Sequence, residues 1–240
     1  MKALGRFTIV TALIAAQLSF AASDAATSAK ARNLPQSYLF TPAGKMTPLR
    51  SGVAYRASLF PVAIRVTPRE PGWSGAQWRA GNDYFRGGGP PHYGWVHLGR
   101  GSPAGIPQGL ISIMTAYAAT PSVAATVNVL RTRGRGASYE ASTPVALGAY
   151  SGIQFDGEIV GAKNSDHTGH YFVPFTPRSH AARYYPDEYP VYGDVFRVIV
   201  LDVHGKTVVV YVENVGLPRR QFPAFLVKAE GILKTLRFPR

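Results

Sequence analysis

The C-terminal part of the chain carries its clearest pattern of hydrophobic and polar positions. In the segment QFPAFLVKAEGILKTLRF, apolar residues recur three or four positions apart, which is the spacing of one face of a helix. These apolar positions are Phe222, Phe225, Leu226, Ala229, Ile232, Leu233 and Leu236. Pro223 suits the first helical turn, where its missing N–H costs nothing. The pattern predicts a closing helix with Lys228 and Lys234 away from its apolar face.

Two apolar, β-branched runs precede this helix. Val195–Val203 and Thr207–Val212 flank His204-Gly205, and a glycine there permits the positive φ of a tight hairpin turn. The runs are apolar enough for central strands of a sheet. His204 is expected at the tip of the turn, solvated and without a structural role.

Further strands are predicted upstream, together with one more helix. Ser58–Pro68 alternates apolar and polar positions, and the segments WVHLG and GLISIMTAYA are typical of strands. TPVALGAYSGIQFDGEIVG predicts two strands around Gly148 and Gly152. In PSVAATVNVLRTRG, three apolar residues share one helical face and Gly134 provides a stop.

The order of these elements predicts the fold class. Strands come first, then a helix, then strands joined by short links, and finally the closing helix. Short links favour antiparallel pairing. We therefore predict an α+β fold, a mainly antiparallel sheet with helices packed on one face and a C-terminal closing helix.

The N-terminus has the pattern of an export signal. Lys2 and Arg6 precede an apolar run from Phe7 to Phe20, and small residues follow. We predict a secretory signal peptide over residues 1–25, a flexible segment over 26–50 and a single α+β domain over 51–240. The protein is then expected to be secreted or extracytoplasmic, in the cell envelope, with no membrane span after signal cleavage.

Charge and cysteine content narrow the expected chemistry. The chain has no cysteine, which excludes disulfides, thiolate metal sites and cysteine nucleophiles. Its formal net charge is +13, and a positive field attracts polyanions. Outside a cell these are anionic cell-envelope polymers, and no nucleic acid is expected as a partner. The alternative is that the charge merely reflects an arginine-rich composition.

A glycine- and proline-rich stretch, Phe85–Gly109, invites comparison with a phosphate-binding loop. Such a loop needs glycines between a strand and the start of a helix. Here Gly87-Gly88-Gly89 leads into Pro90-Pro91 and then a predicted strand. We interpret residues 86–109 as a mobile loop at the edge of the sheet, anchored by Trp95 of the predicted strand, with Trp73 and Trp78 as further candidate anchors.

Three groups of polar residues have the composition of a site. Asp166, His167 and His170 bring three metal-competent side chains into five residues, a spacing with which a loop can chelate zinc. The alternative is a polar turn, and no metal or other cofactor is favoured.

Arg131, Arg133 and Arg135 can bind an anion between them, or they can serve only to stabilise the helix C-terminus. Asp156 and Glu158 share one strand face, a weak candidate for a glycosidase carboxylate pair.

Four segments, taken together, resemble uncharacterised secreted proteins of high-GC Gram-positive bacteria, a group similar in architecture to PsbP-like domains. The segments are FPVAIRVTPREPGWSGAQW, TPVALGAYSGIQFDGEI, VFRVIVLDVHGKTVVVYVENV and FPAFLVKAEGILKTLRF. The resemblance covers roughly Tyr55 to Phe238. It implies an antiparallel sheet backed by helices and a non-catalytic role, and it transfers no functional residues.

These observations lead to one functional hypothesis with two alternatives. We predict a non-catalytic secreted binding or cell-envelope-associated module. The alternatives are a metal-dependent or other hydrolytic enzyme, and a charge-driven binder of extracellular polyanions.

Overall fold

A large antiparallel sheet organises the fold. The computed structural model describes residues 31–36, 46–60, 62–79, 94–100, 109–115, 122–133, 137–160, 193, 195–214 and 217–240. The strands are β1 (Arg32–Asn33), β2 (Thr47–Pro48), β3 (Tyr55–Ala57), β4 (Ile64–Val66), β5 (Trp73–Arg79), β6 (Gly94–Arg100), β7 (Gly109–Thr115), β8 (Ala137–Tyr139), β9 (Thr143–Leu147), β10 (Tyr150–Ile159), β11 (Val195–Val203) and β12 (Lys206–Glu213). The helices are α1 (Val123–Arg133) and α2 (Phe222–Leu233), with a short 3-10 turn at Arg219–Gln221.

The large sheet has the strand order β2-β5-β6-β7-β12-β11-β10-β8, and β9 also pairs with β10. Each of these pairs is antiparallel. The prediction of a mainly antiparallel sheet in an α+β fold is therefore confirmed.

The predicted hairpin is present and central. β11 and β12 pair from Phe196↔Glu213 to Val203↔Lys206, which leaves a two-residue turn. His204 has φ 54° and Gly205 has φ 75°, the two positive values that a type I′ turn requires. The Asp202 carboxylate accepts a hydrogen bond from the Gly205 N–H at 2.9 Å.

The two helices pack on opposite faces of the large sheet, so the prediction that helices share one face needs correction. Val127 and Leu130 of α1 pack in a cluster with Val198 of β11 and Val209 of β12. α2 packs on the other face, against side chains such as those of Ile199 and Val210. The physical reason is that β11 and β12 are apolar on both faces, so each face has to be covered.

α2 confirms the predicted closing helix. It begins at Phe222 with Pro223 in its first turn, as the pattern indicates. Its buried residues are Phe222, Phe225, Ala229, Ile232 and Leu233. The helix ends at Leu233, before the apolar pattern does, and Leu236 and Phe238 remain buried in the segment after it.

A second, three-stranded sheet was not predicted. β3 lies between β1 and β4, parallel to the first and antiparallel to the second. Residues 237 and 65 form an additional antiparallel bridge at the free edge of β4. The inward side chains, such as Tyr55 and Ile64, join the same core as α2.

The packed structure extends into the segment expected to be flexible. β1 and β2 both lie within residues 26–50. Leu34 is 1% exposed and Leu49 is 5% exposed. The two leucines belong to the hydrophobic core and attach the described parts of this segment to it.

None of the helices in the described part of the chain has the length and apolarity needed to cross a bilayer.

Candidate functional site

A cleft lies between α2 and the half of the large sheet formed by β9 to β12. Its volume is about 240 Å³. Leu226, Ala229 and Leu233 of α2 form one wall, and aliphatic side chains of the sheet form the other. The sheet side is lined by Val145, Ala146, Leu147, Ile199 and Val212. The cleft is therefore a largely apolar hollow, the usual character of a small-molecule site.

The cleft lies where α2 packs on the sheet face next to β9, a strand at the edge of the same sheet. α2 directs its buried stripe into the core, and the row Leu226, Glu230 and Lys234, spaced four residues apart, lies beside that stripe. β9 pairs with the first half of β10, through Tyr150↔Leu147 to Gln154↔Thr143. The gap between the helix row and β9 is the cleft.

Arg197 of β11 is the charged centre of this region. Its Nε and Nη2 donate to the two carboxylate oxygens of Asp156 at 2.7 and 2.8 Å. Its Nη1 donates to Oε1 of Glu230 on α2 at 3.0 Å. Asp156 and Arg197 are direct neighbours in the register of β10 and β11. The guanidinium thus ties the helix to the sheet and is held in one orientation by a bidentate pair.

Arg197 stays charged in this setting. The hydrogen bond to Asp156 is the main cause that raises the pKa of Arg197 above its usual value, burial opposes it, and the charges of Asp156 and Glu230 add to it. Both carboxylates are paired with this one guanidinium, so the group of three has a net formal charge of −1 and Arg197 has no charge left for a ligand anion.

Lys234 and Gln154 are the other polar residues that line the cleft. Lys234 is exposed at the end of α2 and Gln154 is half-buried on β10. Among the described residues, no carboxylate forms an ion pair with Lys234. The cleft can therefore offer an ammonium group and an amide to the polar end of a ligand, above apolar walls.

Asp156 and Glu158, the weak glycosidase candidates, each bind an arginine. Asp156 holds Arg197, and Glu158 accepts a hydrogen bond from Nη1 of Arg219. In these contacts each carboxylate stabilises the fold as the partner of an arginine.

Arg131, the first of the three candidate anion-binding arginines, makes contacts within the fold. Its guanidinium carbon lies 5.8 Å from the ring centroid of Tyr139 and 5.7 Å from that of Phe155. Its Nη1 also donates to the hydroxyl of Ser142 at 2.7 Å. Arg133 ends α1 and Arg135 lies outside the described residues, so anion binding by the three together stays a prediction.

Burial raises the pKa of Tyr139, which lies under Arg131, to about 12, although the positive charge of Arg131 opposes the shift. The hydroxyl of Tyr139 donates to the carbonyl oxygen of Leu130 in α1 at 3.3 Å. Tyr139 is therefore a neutral packing residue at ordinary pH.

Asp166, His167 and His170, the candidate metal ligands, lie outside the described residues. Within the described part of the chain, no three histidine or acidic side chains come together as a metal site would require. The metal hypothesis therefore stays a prediction about a segment that the structure does not describe.

His204 has a structural role, which corrects the expectation for the hairpin turn. Its Nε2 lies 2.8 Å from the carbonyl oxygen of Phe238 and 3.0 Å from the hydroxyl of Tyr150. A carbonyl oxygen only accepts, so Nε2 carries the proton. The Tyr150 hydroxyl donates to the same carbonyl oxygen at 2.9 Å. The turn is thereby fastened to the C-terminal segment.

Sequence reasoning missed Arg197, the residue at the centre of the cleft. Arg197 is a basic residue inside the largely apolar run VFRVIVLDV. This could have indicated its importance, because a charged residue on a central strand requires a partner. Asp156 was singled out for a different role, and Glu230 was not considered.

The chain matches no protein-family model and no curated protein.

Proposed function

We propose that the protein is a non-catalytic, extracytoplasmic binding module whose ligand site is the cleft beside α2. The observation that carries this proposal is the combination of aliphatic walls with a polar end in one hollow. The fixed contacts of Arg197 support a binding role, because Glu230, the carboxylate among the described residues that line the cleft, is engaged in holding the guanidinium. The export signal predicted at the N-terminus supports action outside the cytoplasm.

The character of the cleft indicates a small amphipathic ligand. Its volume of about 240 Å³ lies below the range of sites that enclose drug-sized molecules. A single medium-length alkyl chain suits the aliphatic walls. Lys234 supplies the positive charge that a carboxylate or another anionic head group needs, because Arg197 is already paired with Asp156 and Glu230. We therefore propose a medium-chain aliphatic acid as the ligand class.

Filling the cleft tests this proposal, with octanoate as the probe. We expect Leu226→Trp to weaken octanoate binding, measured by calorimetry, by about tenfold or more, because the indole would occupy the hollow. Val227→Trp is the matched control, since Val227 is the next residue of the same helix and is 70% exposed. It should bind octanoate like the unaltered protein. Equal losses in both variants would contradict the assignment of the cleft.

The head-group assignment has a test of its own. We expect Lys234→Gln to weaken binding of octanoate about threefold, the scale of an exposed ion pair. Binding of 1-octanol, which has the same chain without the charge, should not change. A comparable loss for both compounds would show that Lys234 does not contact the head group.

A further inference from the structure

Three arginines stand side by side on the exposed face of the small sheet. Arg56 of β3 is the register partner of Arg65 of β4. Arg65 in turn exchanges both backbone hydrogen bonds with Arg237, each at 2.9 Å. All three side chains are exposed, while their sequence neighbours Tyr55, Ala57, Ile64, Val66, Leu236 and Phe238 are buried. We call Arg56, Arg65 and Arg237 the arginine row.

The arginine row lacks acidic neighbours on its own strands. β1, β3, β4 and the segment 236–240 contain no aspartate or glutamate. Nε of Arg56 donates to the side-chain oxygen of Asn33, and Nη1 of Arg237 donates to the carbonyl oxygens of Lys234 and Leu236. Four of the described acidic side chains, Glu70, Asp156, Glu158 and Glu230, make their ion pairs with basic residues outside the row.

Such an arrangement disfavours folding. Like charges directly opposite each other on neighbouring strands repel and destabilise the pair. In the arginine row this happens twice, with Arg65 between two other arginines. A negatively charged partner laid across the strands would remove that repulsion and gain charge-assisted hydrogen bonds.

The spacing of the row indicates the kind of partner. Neighbouring strands lie about 4.8 Å apart, so the three charges follow one another in a line across the sheet. A chain of uronic acids carries one carboxylate on every ring, so it presents a series of negative charges to which several guanidinium groups can bind at once. We propose that the arginine row binds a linear acidic polysaccharide of the cell envelope, with the sugar chain running across β3 and β4. The choice of an extracellular polymer rests on the extracytoplasmic role proposed above, whereas the arginine row is separate from the cleft.

The test uses polygalacturonate as the probe and compares single variants that each remove one positive charge. We expect Arg65→Gln to weaken binding about three- to fivefold at low salt, and Arg56→Gln/Arg65→Gln to weaken it further. Arg220→Gln is the control, because Arg220 is exposed on the 3-10 turn and lies outside the row. It should bind nearly as tightly as the unaltered protein. The melting temperature of Arg65→Gln should be equal to or above that of the unaltered protein, since a repulsion is removed.

Three outcomes would overturn the proposal. Equal effects of Arg65→Gln and Arg220→Gln would show that net charge alone attracts the polymer. Equal or tighter binding of single-stranded oligo-thymidylate, lost in the same variants, would show that the row prefers phosphodiesters. Binding to anionic phospholipid vesicles without binding to polygalacturonate would indicate a membrane surface instead. Octanoate binding reports the cleft separately, so failure of either proposal can be recognised independently of the other.

Discussion

Leu233→Asp should leave the protein without a cooperative folding transition. Leu233 is 2% exposed and packs in the core that joins α2 to both sheets. An unpaired carboxylate there costs several kcal/mol, and the total stability of a domain is only about 5–15 kcal/mol. Thermal and urea denaturation followed by circular dichroism would measure the loss.

The control for this substitution lies on the same helix. Val227→Asp introduces the same charge at a side chain that is 70% exposed. We expect it to change the free energy of unfolding by less than about 0.5 kcal/mol, as surface substitutions do. If Leu233→Asp melts at the same temperature as Val227→Asp, then α2 does not close the core.

Gly152→Ala should destabilise the protein by about 3 kcal/mol or more. Gly152 lies within β10, and an added Cβ would stand 2.1 Å from the backbone oxygen of Val200 and 2.9 Å from a methyl carbon of Leu201. A backbone oxygen on a central strand cannot move aside as the end of a side chain can. Relief of the clash therefore has to break the pairing of β10 with β11.

Gly231→Ala is the same chemical change, but we expect it to stabilise the protein. Gly231 lies inside α2, and nothing is within 4 Å of an added Cβ. Alanine is favoured over glycine in a helix by about 0.8–1.0 kcal/mol, so this variant should be more stable. Chemical denaturation of the two variants side by side measures both effects. A neutral Gly152→Ala would show that β10 and β11 are not packed at this register.

The elements that local pattern determines were predicted well. The hairpin of β11 and β12 follows from two apolar runs around His204-Gly205, and α2 follows from a repeated apolar face and Pro223. In both cases the residues that decide the structure are neighbours in sequence, so a single sequence contains the information.

The elements that depend on long-range pairing were not predicted. The small sheet brings Arg32, Tyr55 and Val66 together and then adds Arg237 at its edge. No sequence pattern relates these positions. The packing of helices on two faces was indicated by the uninterrupted apolar run Val208–Val212, which is typical of a strand buried on both sides, but it was not used for that conclusion.

The cleft could not be derived from the sequence for the same reason. Asp156 and Arg197 are separated by 41 positions, and the register of β10 against β11 brings them together. Glu230 joins them only because α2 crosses this face. The sequence did indicate that a charged residue within an apolar strand needs a partner, without naming the partner.

The cleft as ligand site is the central claim, and methyl chemical shifts under octanoate titration test it most directly. We predict saturable shifts for the methyl groups of Val145, Leu147, Ile199 and Leu226, which line the cleft. The methyl groups of Leu130 and Val198, in the cluster on the opposite face, should stay unchanged and serve as an internal reference. Saturable shifts confined to the α1 face, or no shift at any cleft methyl group, would contradict the account.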